Sequence, residues 1–531
     1  FRFMFNGIAT RQPWLVVLCL VLISIVVRCA VGFHPHSGES KPPMFGDYEA
    51  QRHWMELTVA LPPKDWYEQT PQNDLQYWGL DYPPLTAFHS YLCGRVGSSV
   101  VPEVVAFESS RGFPGQSVEG KIFMRSTVLV ADVLVYLPSC FFVVFALTRL
   151  NSPPGSTVAR GTALQRMALS LFLALQPGLL LIDHGHFQFN GICLGLTLFA
   201  IGCLAYQRHL LASALFCLAL NYKQMSLYYS PVFFFHLLSV SLRNRSLVRG
   251  VGSVILIGLV VLGTFGVLWM PWLTTGLDST LQLLHRLFPF ERGLFEDKVA
   301  NFWCSLSLIY KAHLRHPRKH LQIASTAMTL AGFAPCSVHL LRYPSMLSVV
   351  YAVVITSLSF FLFSFHVHEK TILLCVVPAC LLAAVAMDAD SPTGHRKPRK
   401  TPPSAAAYTT QQQWLLLIVG QFTLVSLFSM YPLVLKDNLI EAYVALMVPT
   451  AALHYTILPR VVNKPLVVLS ALSTVGMAAI HVISALVTPP ARYPDLITMA
   501  FTTYSFGHFL AMFVALNVMQ WACVGKAVKL D

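Results

Sequence analysis

The sequence predicts an all-α polytopic membrane protein, roughly fourteen transmembrane helices interrupted by one large polar loop. Of 531 residues, 55% are hydrophobic and only 11% are charged, which leaves no room for a soluble globular core with a polar coat. Apolar runs reach the roughly twenty residues a helix needs to cross the hydrocarbon, as in residues 14–30 (broken only by Arg28) and 251–270. A transmembrane barrel would instead alternate apolar and polar residues over segments of about ten. The net charge of +13 does not point to nucleic acid, because the basic residues punctuate the loops between spans in the positive-inside pattern.

Taken in order, the run after Arg11 is too long for the apolar region of a signal peptide and lacks a small-residue cleavage site, so it is expected to remain as a signal anchor near residues 14–33. Residues 34–125 follow as the large loop. Further spans are expected near 126–148, 166–183, 189–205, 209–221, 223–240, 250–270, 320–341, 346–365, 371–388, 413–434, 439–458, 464–487 and 498–524. Both termini are then cytosolic. Arg149, Arg160 and Arg166 mark one cytosolic loop, Arg243, Arg245 and Arg249 a second, and Arg396, Lys397, Arg399 and Lys400 a third. That third loop, 389–412, is proline-rich and reads as disordered. The segment Phe302 to Tyr310 is apolar but only about nine residues long, too short to cross as a helix, and is expected to be re-entrant or interfacial. This parity leaves KAHLRHPRKH (311–320) on the far side, against the positive-inside rule. Its merit is convergence: residues 34–125, DHGHFQFN at 183–190, NYKQ at 221–224, 271–319 and HVHEK at 366–370 all emerge on one face.

The division expected is a catalytic transmembrane module over 1–388 with loops 34–125 and 271–319, the cytosolic loop 389–412, and C-terminal helices over 413–531. The twelve cysteines fall mostly inside apolar runs without metal-ligand spacing and read as small core hydrophobes. The sequon Asn244-Arg245-Ser246 falls in a cytosolic loop and should be unused.

The densest polar cluster is FGDYEAQRHW at 45–54. From Tyr48 to Leu61, Glu49, Arg52, His53 and Glu56 follow helical spacing opposite Trp54, Leu57, Thr58 and Leu61, an amphipathic helix expected to lie in the interface. Asp47 then falls at its N-cap, where an Asp contributes about 1 kcal/mol; cap and catalyst are both open, and compatible. In HVHEK, His366, His368 and Lys370 are donors of the kind that hold a phosphate, or simply a short exposed loop. His366-Val367-His368 and Asp183-His184-Gly185-His186 resemble metal-ligand clusters without standard zinc spacing. Asp388-Ala389-Asp390 opens the opposite, cytosolic loop and reads as solvated charge at a helix end. With no Gly-rich phosphate loop and no Rossmann-like domain, the residues argue against a nucleotide-sugar donor. Further candidates are Asp81; Arg292, Glu296, Asp297 and Lys298, which line a cavity or pair on the surface; Lys223, which answers a phosphate or snorkels; and Tyr77, Trp78, Tyr82 and Phe88, which stack on sugars or form an interface belt.

Five segments, KPPMFGDYEAQRHWMELT, LQYWGLDYPPLTAFHSYLCG, DHGHFQFNG, FPFERGLFEDKVANFWC and FLFSFHVHEKTILL, closely resemble the endoplasmic-reticulum glucosyltransferases that add the first glucose to the lipid-linked precursor of N-glycans. These belong to the C-type (GT-C) dolichyl-phosphate-sugar-dependent membrane glycosyltransferases. The resemblance implies that fold, an endoplasmic-reticulum membrane location and a lumenal active site. It implies dolichyl phosphate glucose as donor and a dolichyl-pyrophosphate-linked high-mannose glycan as acceptor, with membrane lipid as the surrounding partner and no cofactor or metal. A β-linked donor giving an α-1,3 product inverts in one displacement, so a single base suffices. Asp47 is expected in that role, with His368 and Lys370 on the donor phosphate. Glu49, Arg52, His53, Asp81, Tyr82, Lys223 and Arg292 are the expected substrate contacts. The family usually carries an uncharged residue such as Gln where this chain has His366, so phosphate contact is carried over to His368 alone. The sister enzyme that adds the second glucose shares the architecture. Outside the enzyme class stand a lipid transporter or flippase, for which no internal repeat is found, and a non-catalytic scaffold or cargo receptor.

Overall fold

The computed structural model describes residues 12–107, 117–149, 159–243, 246–288, 298–388 and 410–527. Every segment read as a span is helical. Among the described residues, eleven helices are long and apolar enough to cross a membrane, and Asn190–Ala205 and His209–Tyr222 are shorter apolar helices.

The chain opens with α1 (Pro13–Gly32). The large loop follows, carrying α2 (Gly46–Ala60) and α3 (Pro84–Val100). Pro84 starts α3 with a φ already preset for the first turn. The next span begins with α4 (Val118–Ala131), where Ser117 Oγ accepts from the backbone N–H of Gly120 at 2.9 Å, a side-chain cap. It passes through a wider, π-helical stretch at Asp132–Tyr136 into α5 (Leu137–Arg149), and α6 (Ala159–Ala174) packs back on it. A second π-helical stretch, Leu180–Phe187, leads to α7 (Asn190–Ala205) and α8 (His209–Tyr222). Gly195 on α7 lets that helix approach the Tyr136 backbone so closely that a Cβ would sit 3.1 Å from its Cα, the small-residue contact by which helices pack where water drives nothing.

The later helices are α9 (Ser230–Leu242), α10 (Leu247–Thr275), the short amphipathic α11 (Leu277–Leu287), which packs on the large loop, α12 (Arg318–Arg342), α13 (Met346–Phe363), α14 (Leu373–Asp388), α15 (Thr410–Ser429), α16 (Ile440–Val461), α17 (Lys464–Leu486) and α18 (Leu496–Ala527). Helices α13, α14 and α15 are apolar all round and lie at the centre, as such helices must. By contrast, α10 shows Leu256, Leu259, Leu262 and Val267 to the outside, where lipid is as apolar as any partner helix. One contiguous core runs from Val31 to Leu516, so the segments expected as a catalytic module and a C-terminal unit pack as one body. Of the 389–412 loop, Thr410 to Gln412 already belong to α15, and the remainder lies outside the described residues. Phe302–Leu306 is a five-residue helix that does not cross; it is anchored by Trp303 Nε1 donating to the Phe363 carbonyl at 2.8 Å. Among the described residues the cysteines are buried as expected, except Cys19 and Cys29.

Candidate active site

One end of the bundle collects the polar junctions that the parity placed together. The pocket there is lined by Asp47, Gln51, Trp54, Trp78, Asp81, Tyr82, Gln188, Asn190, Lys223, Gln224, His368 and Lys370, among others. The large loop, the turn after the second π-helical stretch, the α8–α9 turn and HVHEK therefore share one wall. From segment 271–319, α11 is tied to the pocket-lining loop, with Arg286 donating to the carbonyls of Gly79 (2.7 Å) and Leu80 (3.2 Å) and Gln224 bridging Asp81 O and Leu287 O.

Asp47 reaches this pocket because it is not the cap of its helix. Phe45 and Gly46 both take positive φ (56° and 69°), so α2 begins before Asp47, Phe45 is the cap position and no side chain caps the helix. The expectation of an Asp47 N-cap is thereby corrected. With Ser37 Oγ accepting from its backbone N–H at 3.2 Å, the carboxylate turns outward. Its Oδ2 receives Lys370 Nζ at 2.6 Å and Gln188 Nε2 at 2.5 Å, and lies 3.1 Å from His186 Nε2. Burial would raise this carboxyl, but Lys370 first and His186 after it hold it well below the usual carboxylate range. Burial would lower the Lys370 ammonium; Asp47 more than reverses this and raises it.

A hydrogen-bonded chain continues along the wall. Lys223 Nζ donates to Gln188 Oε1 at 3.0 Å and Asn190 Oδ1 at 2.6 Å, and lies 5.0 Å from the centre of the Tyr82 ring, a cation–π contact. Lys223 thus points inward and does not snorkel. Burial lowers its affinity for a proton. Asp183 accepts from Asn190 Nδ2 and the Gly191 N–H, both at 2.7 Å. Phe187, fully buried at φ 88°, makes the sharp exit that swings Gln188 into the pocket.

The remaining sequence candidates separate on burial. Glu49, Arg52 and His53 do not line the pocket. They are buried with Glu56 on the polar face of α2: Arg52 donates to Glu49 at 2.8 and 2.6 Å, pairs with Glu56 at 2.8 Å and donates to Val104 O at 2.8 Å. Tyr77 OH donates to Glu49 Oε1 at 2.8 Å. The amphipathic pattern was real, but its polar face is covered by the rest of the loop and not by an aqueous interface, because one guanidinium can satisfy two carboxylates and a carbonyl at once. These three are tied into a buried ion-pair network away from the pocket wall, an arrangement that fits a scaffold. Arg52→Ala should accordingly cost about 3–5 kcal/mol by stranding two buried carboxylates, read as a lower unfolding temperature in detergent; an unchanged temperature would restore the binding reading.

Of the aromatic run, Trp78 and Tyr82 line the pocket, whereas Phe88 packs on Trp66 and Trp272. Arg292, Glu296 and Asp297 lie outside the described residues, and Lys298 pairs with Asp495 at 3.1 Å. Asn244 and Arg245 of the sequon, like Ala389 and Asp390 of the acidic pair, also lie outside them. The residues of DHGH diverge: Asp183 turns to Asn190, His184 to Asp132 at 2.9 Å and His186 to Asp47 and Asp437. Among the described residues, no three His, Cys, Asp or Glu side chains are grouped to hold a metal.

Sequence reasoning gave Gln188, Asn190 and Asp437 no role and weighed His186 only as part of the metal-ligand-like cluster Asp183-His184-Gly185-His186. Gln188 and Asn190 lie with it in DHGHFQFN, otherwise noted as a polar turn. Asp437 had a weaker signal, a charge between two spans on the same face.

Residues 24–392 and 401–515 match the model of the ALG6, ALG8 glycosyltransferase family. The chain is 40% identical over 541 residues to the dolichyl pyrophosphate Man9GlcNAc2 alpha-1,3-glucosyltransferase of Gallus gallus, covering 96% of this chain and 97% of that protein. It is 40% identical over 512 residues to a probable enzyme of the same name from Drosophila melanogaster (95% and 98%), and 37% identical over 518 residues to the Saccharomyces cerevisiae enzyme (91% and 88%). The crystal structure of ArnT from Cupriavidus metallidurans in the apo state aligns over 96% of this chain and 78% of its own with a TM-score of 0.38 and 13% identity, too loose a likeness to add weight. With matches running through nearly the whole chain and through every segment that walls the pocket, the protein belongs to the ALG6, ALG8 glycosyltransferase family.

Proposed function

We propose that this protein transfers the first glucose from dolichyl phosphate glucose, in α-1,3 linkage and with inversion, to a dolichyl-pyrophosphate-linked high-mannose oligosaccharide. The observation that carries the reading is a carboxylate and an ammonium, Asp47 and Lys370, 2.6 Å apart on the wall of one pocket in a chain whose relatives bear that activity in their names. Asp47 takes the proton of the acceptor 3-hydroxyl as that oxygen bonds to the glucose anomeric carbon, and the bond from that carbon to the phosphate oxygen breaks. The leaving phosphate departs as an anion without a general acid. Lys370, with His368 beside it in the pocket, supplies positive charge where that anion develops. Tyr82, Trp78 and Asp81 are the proposed sugar contacts, with Lys223 positioned behind them.

No metal or other cofactor takes part in this proposal, since two side-chain donors answer the phosphate. The location proposed is the endoplasmic-reticulum membrane, with the pocket lumenal and both termini cytosolic. Arg243 and Arg249 support that sidedness, since connectivity puts Arg243 just past the end of α9 and Arg249 in the first turn of α10, both at helix ends remote from the pocket. Because both substrates are lipid-anchored, each must bring its head group to a pocket at the end of the bundle.

The test is transfer by purified protein from synthetic dolichyl phosphate glucose, with EDTA present, to acceptors without and with a first glucose. Transfer to the unglucosylated acceptor is expected. No transfer by folded protein would sink the donor, transfer only after metal is restored would sink the metal-free mechanism, and transfer only to the glucosylated acceptor would favour the sister reaction.

A further inference from the structure

A proton taken up by Asp47 has to leave before the next turnover. The closest nitrogen base is His186, whose Nε2 is 3.1 Å from Asp47 Oδ2. On the opposite edge of the ring, Nδ1 lies 2.5 Å from Asp437 Oδ2. His186 and Asp437 are only 2% and 4% exposed. A carboxylate can only accept, so Asp437 draws a ring proton to Nδ1, while Nε2 lies between the Asp47 carboxylate and the Lys370 ammonium, 3.2 Å away, where it donates to the first when protonated and accepts from the second when not. Asp437 comes from the turn before α16, 251 residues from His186, and nothing in the proposed bond-making steps uses it.

We propose that His186, oriented by Asp437, is a positioning residue that relays the substrate proton away from Asp47; this rests on the reading of Asp47 as the base. The proton moves from the acceptor hydroxyl to Asp47 as the glycosidic bond forms and the phosphate leaves with its electron pair. It then passes from Asp47 to His186 Nε2, forming an imidazolium between two carboxylates, and is released to water through the pocket when product departs. The groups facing the imidazole are Asp47 from α2, Lys370 from the turn before α14 and Asp437. Arg125 of α4 instead bonds the carbonyls of His184 and Gly185, and the side chains of Asp183 and His184 turn to Asn190 and Asp132.

The experiment measures kcat, both KM values and the pH profile of transfer for full-length protein in detergent, using dolichyl phosphate glucose and the unglucosylated lipid-linked acceptor. Asp437→Asn, which no longer fixes the tautomer, is expected to lower kcat by about 10²-fold or more while both KM values stay within about threefold. Its acid limb should move to lower pH, because loss of the neighbouring negative charge makes the imidazole harder to protonate. Asp437→Glu should recover most of the rate. His186→Gln serves as a second variant should Asp437→Asn fail to fold, and His186→Ala should regain activity with added imidazole.

A folded Asp437→Asn or His186→Gln protein with kcat within about threefold of wild type would overturn the relay. So would a loss of rate with an unmoved acid limb and no imidazole rescue, since the pair would then serve packing alone. Full activity of Asp47→Asn would overturn the base reading and the relay together, whereas inactive Asp47→Asn beside fully active Asp437→Asn would overturn the relay only.

Discussion

Replacing Asp47 by Asn is expected to reduce kcat by about 10²- to 10⁴-fold, the usual worth of a positioned general base, with little change in unfolding temperature. The amide is nearly the size of the carboxylate. Lys370, Gln188 and His186 all meet the one atom Oδ2, and an amide oxygen in that place still accepts from Lys370 and Gln188, so the contacts that hold the side chain are kept. What disappears is the ability to take a proton. Because Lys370 and His186 hold the carboxyl far below its ordinary value against the effect of burial, Asp47 is ionised throughout neutral and mildly acidic assays. The stability this depressed carboxyl contributes is present above about pH 4 and is lost only as the pH falls through its folded-state value. An acid limb between pH 5 and 7 in kcat/KM therefore cannot be Asp47 of the free enzyme and must report another group. Wild-type turnover by folded Asp47→Asn would remove Asp47 from the reaction.

Lys370→Met should be nearly as severe, for a different reason. Removing the point charge proposed to answer the leaving phosphate is expected to cost about 10²- to 10³-fold in kcat/KM for the donor, by analogy with deleting one donor to a developing oxyanion. The same change removes the strongest cation beside Asp47, so its carboxyl rises back toward the ordinary range. The two effects separate kinetically. Loss of phosphate binding falls on kcat/KM for dolichyl phosphate glucose, whereas a more basic Asp47 adds a second acid limb of its own, rising toward the ordinary carboxylate range and distinct from any limb between pH 5 and 7. The resting contact between Lys370 and Asp47 also means that a bound phosphate competes with the base for the ammonium, so donor binding should strengthen the base. Unchanged donor kinetics in Lys370→Met would refute the phosphate assignment.

The sequence by itself determined the all-α polytopic fold and most span boundaries to within a few residues, though not the early start of the second span at Val118 nor the loop helices α3 and α11, because crossing a membrane demands a length and an apolar composition that can be counted along the chain. It also brought Asp47, His368, Lys370, Asp81, Tyr82 and Lys223 forward, since charged and aromatic residues at span ends stand out against apolar flanks. Tertiary structure alone decided which of those charges face a pocket. Glu49 and Arg52 lie on the same helix as Asp47 and read as substrate contacts, yet they satisfy each other in the interior, because helical spacing gives the faces of α2 and not what covers them. The position of Asp47 in its helix turned on backbone dihedrals at Phe45 and Gly46, which no periodicity reveals. The pairing of His186 with Asp437 depends on one core joining the N-terminal and C-terminal helices. A contact across 251 residues leaves no local pattern, since it is fixed by how helices pack and not by spacing along any one of them.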